Sequence, residues 1–159
     1  MLDEELSSKV VDQEKYATKI AQQYTVFLSR YPEIFSDLTE GSIFDFALYE
    51  SLESYDKGSN LDVFHVLRNQ NGIEIKPGNA KSADLELSLS VGAVEKLIKT
   101  QDKEEYAKLL GSFYNDPDEE NGWIDFTLHK RTQVLIDMGY GRFAQTAGIL
   151  EDDDEIYRI

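Results

Sequence analysis

The spacing of the apolar residues changes at Gly41, and that change restricts what this chain can fold into more than any other feature. Before it, Val10, Tyr16, Ile20, Tyr24, Phe27, Leu28 and Tyr31 recur at helical spacing, with Asp12, Glu14, Lys15, Lys19 and Gln22 opposite. That pattern predicts an amphipathic helix from Ser8 to Tyr31. Pro32 blocks its continuation and opens a short turn through Glu33, Ile34 and Phe35, which Gly41 ends. After Gly41 the period is two. Phe44, Phe46 and Leu48 share one face of a strand and Asp45 takes the other.

Asp56 to Asn60 turns that strand into a second, Leu61 to Arg68. Asn69-Gln70-Asn71-Gly72 turns the second into a short third, Ile73-Glu74-Ile75. After the Pro77-Gly78-Asn79 break, Ala83 to Ser90 alternates most clearly: Leu85, Leu87 and Leu89 point in, while Glu86 and Ser88 point out, leaving one sheet face wet. Ser90 then caps a helix through Val94, Leu97 and Ile98. Asp102 with Glu105 forms a capping box for a helix that turns Tyr106, Leu109, Leu110 and Phe113 inward. An acidic, turn-rich loop from Asn115 to Gly122 precedes a fifth strand, Trp123 to His129. Lys130 to Leu150 reads as helix overall, with a strand possible over Thr132 to Met138 and an ambiguous point at Gly139-Tyr140-Gly141. The fold class is α+β.

Charge excludes more than it includes. Against 16 Lys and Arg stand 31 Asp and Glu, a formal net charge of −15 over 159 residues. Such a surface repels phosphate backbones and anionic headgroups, so neither nucleic-acid binding nor stable binding to anionic membranes is expected. At 41% hydrophobic residues the chain can still bury a core. The absence of cysteine removes thiol nucleophiles, thiolate metal sites and disulfides, and fits a reducing compartment. An acidic N-terminus and no apolar run near the ~20 residues of a membrane span lead to the expectation of a cytoplasmic protein.

The candidate motifs for chemistry mostly dissolve. Gly139-Tyr140-Gly141-Arg142-Phe143-Ala144 matches a dinucleotide fingerprint, but too little chain follows to complete the βαβ unit, and capping or hinge glycines explain it better. Asp116 to Gly122 clusters oxygen ligands, yet Thr127 falls where a calcium loop needs a bidentate glutamate. His65 and His129 are the two histidines, and a third zinc ligand is missing. No serine elbow is present. No catalytic residue, metal or cofactor is therefore assigned, and the chain is read as a non-enzyme. What stands out instead is apolar: Leu109, Phe113, Trp123, Phe126, Met138, Phe143, Ile149 and Leu150 permit a lined cavity for a hydrophobic ligand, with a dense ordinary core as the alternative.

The order of elements from about Gly41 to Leu150, and above all the stretch Ala83 to Leu97, with its Ala-Asp, its alternating leucines and its Ser-opened helix, resembles the sterol carrier protein type-2 domain family. The resemblance implies a five-stranded, mostly antiparallel sheet with helices packed on one face. Between them would lie an apolar tunnel for a fatty acyl, sterol or isoprenoid-type ligand, closed by the C-terminal helix. It divides the chain into an N-terminal helical extension (1–40), a lipid-binding domain (41–150) and an acidic tail (151–159). The tunnel-lining candidates it implies are Phe113, Trp123, Phe126, Met138, Phe143, Ile149 and Leu150. Arg142 and Lys130 are the candidates for orienting a carboxylate or phosphate head. Tyr114 to Gly122 departs from the family as an acidic insertion, and Tyr157-Arg158-Ile159 is no peroxisomal address. The aromatic stripe of the N-terminal helix lies outside the match, and is expected to cover the wet sheet face or a second copy, giving a possible homodimer. A protein-interaction module with a filled core, using that helix or the acidic tail, is the rival reading.

Overall fold

The computed structural model describes residues 18–149 and shows a single five-stranded sheet in the order β3-β2-β1-β4-β5. The strands are β1 (Ile43–Tyr49), β2 (Asp62–Arg68), β3 (Ile73–Pro77), β4 (Leu85–Ser90) and β5 (Ile124–Leu128). β1 and β4 run parallel, and every other neighbouring pair is antiparallel. The chain thus adopts an α+β fold, its strands lying where the alternation places them, in the mostly antiparallel sheet that the resemblance implies. The parallel pair arises because β1 to β3 form a meander on one side of β1, and β4 returns to its other side.

Around the sheet stand α1 (Lys19–Arg30), a 3₁₀ turn (Pro32–Phe35), α2 (Leu52–Asp56), α3 (Val91–Leu97), α4 (Lys103–Asn115), α5 (Thr132–Asp137) and α6 (Tyr140–Ala147). Local chemistry sets most of these ends. Thr18, Ser90 and Asp102 each accept the amide hydrogen of the residue three ahead, at Ala21, Ala93 and Glu105. Gly139 breaks the Lys130 to Leu150 region into two helices. Its φ is +99°, and a Cβ there would stand 1.9 Å from the Asp37 carbonyl oxygen. The short α2, which alternation alone misses, carries a reciprocal cap between Ser51 and Ser54, with serine in the position usually held by Glu.

Two sequence expectations change. The first concerns α1, which packs on the same sheet face as α4. Tyr24 stacks on Phe46 with ring centroids 5.5 Å apart and meets Phe64 edge-on at 5.7 Å. Tyr24, Phe27 and Leu28 of its aromatic stripe therefore belong to the chain's own core and not to the opposite sheet face. Residues 8 to 17 of the expected helix and the 151–159 tail lie outside the described residues. The second concerns the face taken to be wet. Ala47, Tyr49 and Trp123 form a buried cluster there, roofed by Tyr55 of α2, and Ser88 and Asp45 are buried as well. The reason is the crossover through α2, which folds over the odd-numbered residues of β1. Tyr55 donates to Asp125 Oδ2 at 2.6 Å. Burial first, and that carboxylate second, push its phenol up to about 12.

A buried polar contact joins α1 to α4, where the hydroxyls of Tyr24 and Tyr106 lie 2.5 Å apart. Each satisfies the other, so removing one leaves the other unpaired. Tyr106→Phe is expected to lower stability by about 1–3 kcal/mol, whereas the double Phe variant should lose less than the two single changes summed. Urea denaturation of the four proteins in that cycle decides the point, and additive losses would contradict it.

Candidate functional site

Between the sheet and the helical layer lies a cavity of about 320 Å³, open to solvent on one side. Strand alternation builds its floor. Phe44 and Phe46 of β1, Leu85 and Leu87 of β4, and Phe126 and Leu128 of β5 all project to the helix side. Helical spacing builds one wall, since Tyr106, Leu110 and Tyr114 stand four residues apart along α4. The roof is α5 and α6, which contribute Leu135, Ile136, Tyr140, Phe143 and Ala144, with Ile149 just beyond. None of the lining residues carries a charge. Two are themselves well exposed and so mark the mouth: Leu128 at 41% and Tyr114 at 38%.

The roof is fastened from behind. Asp84 is fully buried one residue ahead of β4. Its Oδ2 accepts from the Ile43 amide at 2.9 Å and from the Tyr140 hydroxyl at 2.8 Å, while Oδ1 pairs with Lys130 Nζ at 2.5 Å. One carboxylate therefore joins β1, α6 and the segment after β5. Tyr140 holds its proton well above the ordinary tyrosine range, through burial first and Asp84 second. Close backbone approach does the rest: Gly111 of α4 meets Ala147 of α6 where a Cβ would stand 1.7 Å from the Ala147 carbonyl oxygen.

Of the residues singled out from sequence, the structure gathers Phe126, Phe143 and Ile149 around the cavity. Trp123 lies on the opposite sheet face against Tyr49 and Tyr55. Period-two alternation requires this, because positions 123 and 126 differ by an odd number. Phe113 is buried beside Gly122, with Lys96 Nζ 5.9 Å from its ring centroid, and Leu109 packs half-buried on the core. Both sit one helical step off the 106/110/114 stripe. Met138 caps α5, and its carbonyl accepts the Thr39 amide. Leu150 lies outside the described residues. The sequence reading missed the floor residues of β1 and β4, although their alternation already placed them facing inward, and it missed Tyr106, Leu110 and Tyr114 of the wall and Leu135, Ile136, Tyr140 and Ala144 of the roof as well.

Lys130 is committed to Asp84, which tells against it as a free head-group ligand. Arg142 lies half a helical turn away from Tyr140 and Ala144, so its side chain leaves α6 on the side opposite the cavity. The two histidines cannot pair, because β1 and β4 stand between β2, which carries His65, and β5, which His129 follows. Asp118 Oδ1 accepts from the Glu120 and Asn121 amides, and Glu119 reaches the Leu52 amide, so the acidic loop is held by its own backbone and by α2. Among the described residues no group of three or more His, Cys, Asp or Glu side chains comes together as a metal site. Nor is any helix among them long and apolar enough to cross a membrane.

On the face away from the cavity, Lys76, His65, Asp45, Glu86 and Thr127 form one row across all five strands. Burial first, then the neighbouring Asp45 charge, raise the Glu86 carboxyl, while His129 and Ser88 partly oppose them. A raised acid favours folding only while it keeps its proton. Its contribution is full below the ordinary glutamate range and is lost as pH rises through the raised value. Glu86→Gln should accordingly melt above the parent at about pH 8 and level with it at about pH 4. A gap that widens toward acid would reverse this assignment.

Comparison of the chain with protein-family models, with curated proteins and with solved structures finds no match.

Proposed function

We propose that the protein is a non-catalytic binder or carrier of an apolar small molecule, held between the sheet and the helices. The observation that carries this reading is an open cavity of about 320 Å³ whose lining bears no charged side chain. Its size lies at the lower end of the ~300–1,000 Å³ common for ligand pockets. Each methylene moved out of water contributes about 0.8 kcal/mol, so burying even part of a chain offsets the ordering costs of binding. The likeness of Ala83 to Leu97 to the sterol carrier protein type-2 domain family leads to the same place, since that family implies a tunnel between sheet and helices. The rival reading required a filled core, and the cavity counts against it. Deletion of residues 1 to 35, which would separate the two readings if that segment were an appendage, is a poor test because Tyr24, Phe27 and Leu28 belong to the core.

The direct test is extraction of the purified protein into organic solvent followed by mass spectrometry, with displacement of a fluorescent fatty acid as the companion measurement. Ala144→Trp puts an indole into the cavity from its roof. It is expected to weaken probe binding more than about tenfold, at a stability cost of about 1–3 kcal/mol. A clean extract together with no saturable probe binding by the parent would rule the reading out.

A further inference from the structure

The two edges of the sheet are protected unequally. On the β3 side the Gly78 amide donates to the Val63 carbonyl, so alternation turns the backbone groups of Ile73, Ile75 and Pro77 outward. Pro77 has no N–H to offer a further strand, and Glu74 and Lys76 stand exposed beside it. On the β5 side Trp123 accepts from the Ser90 amide and His129 donates to the Asp84 carbonyl, so the odd-numbered residues face β4. Ile124, Phe126 and Leu128 therefore direct their backbone groups away from the sheet, and no strand lies beside them among the described residues. β5 contains neither proline nor lysine. Its one charged side chain, Asp125, is engaged by the Tyr55 hydroxyl and by the Phe126 amide. An edge of this kind is a template for strand addition.

The side chains of β5 suit a second copy of it. Antiparallel pairing about a twofold axis at Phe126 sets that ring against its counterpart and Ile124 against the other copy's Leu128, all on the helix side of the sheet. Leu128 is 41% exposed there, and so, at 38%, is Tyr114, whose ring lies 5.1 Å from that of Phe126. The Phe126 amide exchanges its bond to Asp125 for one to the other copy's Phe126 carbonyl. On the opposite face Asp125 meets Thr127. Centring the pairing on Asp125 would instead oppose two carboxylates, and centring it on Thr127 would leave Ile124 without a partner in the added strand.

Charge follows the same symmetry. Asp116, Asp118, Glu119 and Glu120 precede β5, and His129, Lys130 and Arg131 follow it. A strand with acids ahead and cations behind is complementary to itself only in the antiparallel sense, which is the one a twofold axis generates. Asp118 and Glu119 already serve backbone amides, and Lys130 serves Asp84. That leaves Glu120 and Arg131, both exposed, to face each other at either end of the interface.

We infer that the free edge of β5 is where a second copy of this chain docks, joining two sheets into one across a twofold axis at Phe126. The inference does not depend on what fills the cavity.

Sedimentation equilibrium of the full chain at micromolar concentration should give a dimer, with hydrogen exchange at the Ile124 and Leu128 amides slow in concentrated protein and faster on dilution. Leu128→Pro removes an outward donor that the β4 ladder does not use, and should yield a folded monomer. Arg131→Glu and Glu120→Lys should each weaken the dimer about tenfold, and the two together should restore it. A monomer throughout, or a dimer indifferent to Leu128→Pro and to Arg131→Glu, would overturn the inference. Slow exchange at both amides in a monomer would do so too, because another segment of the chain would then cover the edge. If Leu128→Pro does not fold, the charge swap decides alone, and a double variant that fails to regain the dimer sinks the idea.

Discussion

Asp84→Ala is expected to cost about 3 kcal/mol of folding stability and to loosen the roof of the cavity before the rest of the molecule. The carboxylate is fully buried and serves three partners: the Ile43 amide, the Tyr140 hydroxyl and Lys130 Nζ. Alanine leaves the first two as buried donors without acceptors, at about 1–3 kcal/mol each. Lys130 loses less, because its side chain is 40% exposed and water can replace the carboxylate. Asp84→Asn keeps an acceptor for the amide and the phenol while dropping the charge, so it should fall between parent and alanine. Denaturant titration gives the order, and hydrogen exchange at α6 amides shows where the structure opens. If the alanine variant is within about 1 kcal/mol of the parent, Asp84 does not hold the roof.

The second large effect is Gly111→Ala, where two physical terms point in opposite directions. Alanine is the better helix former by about 1 kcal/mol, so on propensity alone the change in the middle of α4 should stabilise. Packing decides otherwise. The added Cβ would stand 1.7 Å from the Ala147 carbonyl oxygen and 2.7 Å from its carbon, and backbone atoms cannot swing aside as a side-chain tip can. α4 and α6 would have to separate, giving up the contact that sets the cavity's width. Overpacking of this kind costs about 1–3 kcal/mol and more where backbone must move, so net destabilisation above about 2 kcal/mol is expected. The variant should also bind an apolar probe more weakly or less selectively than the parent. A melting temperature at or above the parent's would show that the two helices can part freely.

Much of this architecture is legible in the chain. The strands of the alternating segments, the proline stop after α1, and the caps at Ser90 and Asp102 follow from rules that act over a few residues. The α2 turn did not show because Ser54 answers Ser51 where the usual signature has a longer acid. The covered second face was hidden for a related reason. Ser88 and Asp45 read as outward residues, and only the fold of α2 over β1 buries them. For the site, Phe126, Phe143 and Ile149 were readable as apolar residues of the C-terminal half. Trp123 was misplaced by ignoring parity, and Phe113 by drawing the helical stripe one residue too wide.

What the sequence by itself determined is therefore the local half of the problem: where most strands and helices lie, which face of each is the more apolar, and that most of the charge belongs outside. Those properties depend on backbone geometry and on neighbours a few residues apart. Only the tertiary structure decided that α1 joins the helix layer, that β4 inserts beside β1 in parallel, and that the apolar faces meet around a space instead of closing it. That space depends on distances between elements far apart in the chain, set by two glycine approaches, at Asp37 and Ala147, and by the reach of one buried carboxylate. Periodicity records direction, and carries no record of those separations.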